Sequence, residues 1–165
     1  MPKPTKNAAL ICAVLSVLAL IGIIIGLLRS SALIITIFLI PAVVYEVYRT
    51  EGESTKAASI ILLVIFILEI VLLGFNINFD LAKFLGKSET YLLSYNVPLG
   101  DVKVVAPAVM AVLSVVLFLR TNGIYTKWLS VIIFITSFAI IYTVDPENFK
   151  TLLKIGTDAA IQRVQ

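Results

Sequence analysis

Residues 57–79 read AASIILLVIFILEIVLLGFNINF. As a helix this run is long enough to cross the roughly 30 Å hydrocarbon core of a bilayer. It carries one ionisable group, Glu69. At the helical rise, Glu69 falls about 18 Å along the run, near mid-depth. A carboxylate there is costly and is expected to face the interior of a bundle. Asn76 follows seven residues later on the same helical face, so the pair predicts a polar stripe turned away from lipid.

The rest of the chain supplies helices to pack around this one. Of 165 residues, 60% are hydrophobic and 14% charged, with a mean hydropathy of +1.06. Soluble domains run at about 45–50% apolar and about 25% charged, so both figures point to a membrane protein. The apolar residues fall into separate runs of spanning length: 8–28, 32–48, 57–79, 103–119 and 128–144. The expected fold is therefore all-α and polytopic, a single bundle of about five transmembrane helices. Residues 80–102 are expected to form an interfacial loop. Leu81, Phe84 and Leu85 recur in it at helical spacing beside Lys83 and Lys87. Asp145-Pro146-Glu147 is a helix-start signal, which predicts a short amphipathic C-terminal helix over 146–165. No internal repeat stands out, and no inverted-repeat symmetry.

The first run exceeds the apolar region of a signal peptide, so it is expected to be retained as a helix. It carries a ridge of small residues, Cys12, Ser16, Ala19, Gly22 and Gly26, and Gly22-Ile23-Ile24-Ile25-Gly26 is a GxxxG match. Such a ridge lets another backbone approach closely, either in a dimer or within the chain, and the second reading is favoured. Trp128 and Tyr142 place an aromatic residue at each end of the fifth run. Glu46, beside Tyr45, Tyr48 and Arg49, is expected to be solvated or paired at an interfacial helix end. Lys3, Lys6, Arg49, Lys56, Arg120 and Lys127 fall on the N-terminal side of the membrane, against Arg29, Lys83, Lys87 and Lys103 opposite once Lys150, Lys154 and Arg163 of the tail, also on that opposite side, are set aside. That balance favours a cytoplasmic N-terminus in a multi-pass protein of the cell membrane.

The residue inventory narrows the chemistry. There is no histidine and one cysteine, Cys12. Histidine-based nucleophile systems, an intrachain disulfide and the usual zinc ligand sets are thereby excluded. No glycine-rich phosphate loop appears, and the basic residues are scattered, not gathered with aromatics into a nucleic-acid surface. No catalytic residue, metal or cofactor is expected, and no nucleic-acid partner. The net charge of +3 fits membrane-flanking lysines and arginines.

No lysine or arginine is expected at the depth of Glu69. Ser114, on the fourth run, comes within about 3 Å of that depth on rise arithmetic, which makes it the nearest candidate partner. Glu69, Asn76 and Ser114 form the predicted intramembrane polar site, with Glu69 held as a neutral, hydrogen-bonded acid. The sequence thus predicts a non-enzymatic protein whose partners are the bilayer and either another membrane protein or further copies of itself. The leading expectation is an accessory or scaffold subunit of a membrane complex. The alternative is a small transporter or channel component using Glu69 as an intramembrane proton or cation site.

Overall fold

In hydrocarbon a chain must satisfy its own backbone hydrogen bonds, so apolar runs of this length become helices. The computed structural model describes residues 7–77, 90–92, 95–97, 102–147 and 149–150. It contains α1 (Ala8–Arg29), α2 (Ala32–Arg49), α3 (Glu53–Gly74), α4 (Val102–Arg120) and α5 (Ile124–Val144). All five are long and apolar enough to span a membrane. The expected five-helix bundle is what forms. Between α3 and α4, β1 (Thr90–Leu92) and β2 (Tyr95–Val97) pair antiparallel, with Thr90 opposite Val97. The predicted interfacial helix over 81–87 lies outside the described residues, as does most of the C-terminal tail. The start of that tail helix is seen: the Glu147 N–H donates to Asp145 Oδ1 at 3.0 Å, the capping bond predicted there.

The ends of α3 differ from the hydropathy reading. The helix begins four residues before residue 57, because Gly52 (φ 98°) makes the left-handed turn that starts it. Thr55, nominally a loop residue, is tucked in as its hydroxyl donates to the carbonyls of Glu51 and Gly52. The other end stops at Gly74. Asn76 takes a left-handed conformation (φ 50°). The N–H groups of Asn76 and Ile77 then turn back to the carbonyls of Leu73 and Leu72. That is a Schellman termination, and α1 ends the same way at Ser30 and Ser31, whose N–H groups reach Leu27 and Gly26. With these bounds Glu69 lies about 7.5 Å from the end of α3, not at mid-depth.

Consecutive helices run antiparallel, so the turns after α2 and α4 share one side with the start of α1. Helices α2 to α5 form a four-membered ring in which each packs on its two neighbours, α5 closing back onto α2. Helix α1 lies outside the ring against α2 and α5. Cys12, Leu39, Phe66, Met110 and Ile133 meet in the main core. Outward faces carry Val14 and Val17 on α1, Ile60 and Val64 on α3 and Val112 on α4, all exposed on the outside of the bundle.

The ring is built from a repeated helix pair, contrary to the sequence expectation. The turn Arg49-Thr50-Glu51-Gly52-Glu53-Ser54-Thr55-Lys56 reappears as Arg120-Thr121-Asn122-Gly123-Ile124-Tyr125-Thr126-Lys127, 71 residues on. Five of the eight positions are identical. The same offset relates buried positions along the flanking helices: Ile35 to Ala106, Leu39 to Met110, Val43 to Ser114, Ser59 to Ser130 and Leu62 to Ile133. Both helix pairs run in the same sense, so this is a parallel repeat whose axis lies along the membrane normal. Exchanging α2–α3 with α4–α5 maps the α2–α5 contact onto the α3–α4 contact, and both are present.

The glycine ridge of α1 is spent inside the chain. A Cβ on Gly22 would strike the Cβ of Phe38, and one on Gly26 would strike Cγ1 of Ile35, both on α2. Gly22→Val and Gly26→Val should therefore each destabilise the fold by about 1–3 kcal/mol through overpacking. Thermal unfolding in detergent should report that loss, while Val17→Ala on the lipid face should leave the midpoint nearly unchanged.

Candidate functional site

Polar side chains in a dry bundle need partners within reach, and most hydroxyls here find one in their own helix. Thr36 donates to the carbonyl of Ala32, Ser130 to Thr126, Thr136 to Ile132 and Ser137 to Ile133, each at 2.7–2.9 Å. Ser114 does the same, donating to Ala111 at 2.7 Å. Its side of α4 faces α5, where with Ser130 and Phe134 it lines a cavity of about 160 Å³. Ser114 and Glu69 are both fully buried, but the serine proton is committed to its own backbone.

Glu69 sits on the buried stripe of α3 with Ser59, Leu62, Phe66 and Leu72. Asn76, predicted to share its face, lies just beyond the helix as the left-handed terminating residue. Its Oδ1 accepts a 2.8 Å hydrogen bond from Nζ of Lys103. Lys103 is itself buried, 8% exposed. A basic group therefore does lie within the protein at the Glu69 end of α3, which rise arithmetic on separate runs missed. The available signal was the position of Lys103 at the start of a run too short to span without it.

A second polar group gathers at the opposite side, where α1 starts and α2 ends. Glu46 is fully buried, not solvated. Its Oε1 accepts from the Thr50 hydroxyl at 3.1 Å, and its Oε2 has no hydrogen bond. Thr50 is one turn on from Glu46, a spacing visible in the sequence. The Arg49 guanidinium lies 5.0 Å from the centre of the Tyr125 ring, a cation–π contact that ties α2 to α5. Cys12 lies near, its Sγ 3.9 Å from the Tyr125 carbonyl.

The small-residue ridge divides between two neighbours. Gly22 and Gly26 pack on α2. Ser16 instead accepts a 2.9 Å hydrogen bond from Trp128 Nε1 on α5, and with Ala19 it lines an apolar groove of about 360 Å³ between α1 and α5. Trp128 thus joins two helices as well as marking an interface.

Among the described residues, no three acidic, cysteine or histidine side chains come together to hold a metal. No family model matches the chain, and neither does any curated protein or solved structure.

The double role of Asn76 is testable by substitution. Asn76→Gly keeps the left-handed turn but removes the acceptor for Lys103, which should cost about 1.5–3 kcal/mol. Asn76→Ala removes both, and should cost about 1–2 kcal/mol more because a Cβ disfavours that backbone region. Denaturant unfolding in detergent micelles should rank them in that order.

Proposed function

We propose that this chain is a non-enzymatic subunit of a membrane complex, with the α3–α4 face as the surface that meets its partner. The observation behind this reading is the incomplete symmetry of the bundle. Helix α1 covers α2 and α5. The repeat makes the α4–α3 surface the equivalent position, and no helix among the described residues lies there. Val109 is the counterpart of Phe38, the residue against which Gly22 packs. It is 38% exposed. The occupant that fits is a helix with small residues on one side, as α1 has, because van der Waals packing of small residues drives association where lipid competes for apolar surface. The N-terminus is taken as cytoplasmic, in the cell membrane. That places Arg49, Lys56, Arg120 and Lys127 inside.

The second reading is a small transporter or channel component with Glu69 as a proton or cation site. The complete burial of Glu69 at the end of α3 that also holds Lys103 favours it.

A photoreactive residue at Val109 or Val112 should form a discrete protein adduct in native membranes, and one at Val14 on α1 should label mainly lipid. Equal, lipid-only labelling at all three would remove the basis for a partner on this face. Proton or cation flux in liposomes that Glu69→Gln abolishes, with an unchanged melting midpoint, would favour transport instead.

A further inference from the structure

The two copies of the repeated turn enclose one cavity of about 520 Å³ on the side where α1 begins. We propose that this cavity binds a phosphate oxyanion, carried either by a lipid headgroup or by a soluble phosphate.

Arg49 and Arg120, the equivalent residues of the two turns, both line the cavity. So do Gly52 and Gly123, which cap the N-termini of α3 and α5. Neither glycine offers a side-chain oxygen to the first N–H groups of its helix. The nearby threonines do not supply one either. Thr55 donates to the carbonyl of Gly52 at 3.0 Å, and Thr126 donates to that of Gly123 at 2.7 Å. The first ladder bonds come only at Lys56 and Lys127. Two long helices therefore open their positive ends, with N–H groups lacking intrahelical acceptors, onto a single space.

An independent observation comes from Thr121. It lines the cavity and is 7% exposed, yet its Oγ1 has no hydrogen-bond partner. Its equivalent, Thr50, is satisfied by Glu46, whereas the residue one turn before Thr121 is Leu117. A buried hydroxyl left so is costly and is accounted for by a ligand oxygen that accepts from it. Arginine forks and backbone N–H groups are the donors that phosphate takes best.

The acidic groups nearby are Glu51, which lines the cavity, Glu53 in the first turn of α3, and Glu46 behind Thr50. Against them stand Arg49, Arg120, Lys56, Lys127 and the two helix ends. Lys127 lies 5.7 Å from the centre of the Phe118 ring. The balance is cationic at the level of the headgroups.

The test uses the full chain in nanodiscs of phosphatidylcholine, with or without phosphatidic acid, and in detergent with inorganic phosphate against chloride at equal ionic strength. Hydrogen exchange over 49–56 and 120–127 and native mass spectrometry report binding. Protection confined to these two turns is expected from at least one source. Phosphatidic acid alone would assign a lipid headgroup, inorganic phosphate alone a soluble ligand. Arg120→Gln should weaken binding roughly tenfold or more, as expected for loss of a charge-assisted bond. Thr121→Val should weaken it several-fold without lowering the melting midpoint, since it removes an unsatisfied hydroxyl and keeps the shape. If neither phosphate source protects the turns, or if protection survives both substitutions in folded protein, the proposal is overturned.

Discussion

In the hydrocarbon core no water is available to complete a hydrogen bond, so every polar group of this chain must find its partner in the protein. The backbone meets this demand by forming five helices. The side chains meet it mostly by donating one turn back, as Thr36, Ser130 and Ser137 do. Helix ends follow the same rule. Ser30 and Asn76 adopt left-handed backbone so that the last carbonyls of α1 and α3 are satisfied. A bundle whose hydroxyls are occupied internally leaves few donors to line a pathway. The buried charged residues Glu46, Glu69 and Lys103, with Ser59 and Thr121, whose hydroxyls have no hydrogen bond, therefore carry most of the chemical individuality of the protein.

The internal repeat sets the charged groups apart. At the offset that relates the two turns, Glu46 corresponds to Leu117, Glu69 to Ile140 and Lys103 to Ala32. Each buried charged residue thus has an apolar counterpart in the other helix pair. Positions that hold the ring together, such as Leu39 and Met110 or Leu62 and Ile133, stay apolar and buried in both. Packing tolerates exchange among apolar residues of similar volume, so the fold is carried by what the pairs share. Among the charged positions, Lys103 adds a hydrogen bond to Asn76 between α3 and α4 that its counterpart Ala32 cannot make.

How much of this was legible in the sequence follows from which signal each feature leaves. The five spans were readable because mean hydropathy over twenty residues is a strong signal. The limits of α3 were not. Hydropathy assigned Thr55 to a loop and Asn76 to a helix, whereas a glycine turn at one end and a left-handed asparagine at the other set the real bounds. That shift moved Glu69 from mid-depth to near a helix end. Lys103 was read as a flanking charge because its burial depends on Asn76, twenty-seven residues away. The repeat escaped notice because its identity is concentrated in one short turn. The flanking helices share a burial pattern and little else, and that pattern is visible only once the partners of each face are known.

The turn is the place where the two pairs agree most closely, and its residues divide by what turn geometry can explain. Gly52 and Gly123 are the N-caps of α3 and α5; a φ of 98° calls for glycine at Gly52, whereas Gly123 is extended (φ −75°) and a Cβ there would meet the Thr126 hydroxyl. Thr55 and Thr126 fix the first turn through their bonds to the cap carbonyls. Glu51 and Asn122 differ, as do Glu53 and Ile124, and Ser54 and Tyr125, so these are free to vary without loss of the turn. Arginine is different. Arg120 is exposed at the end of α4, where a lysine or a neutral residue would end the helix as well, and a cation at a helix C-terminus is worth only about 0.3–1 kcal/mol when exposed. The contact with Tyr125 uses the planar cation at Arg49, whereas neither the turn nor the helix end requires one at Arg120. What the two arginines have in common is the cavity between them, and the two uncapped helix ends that open onto it.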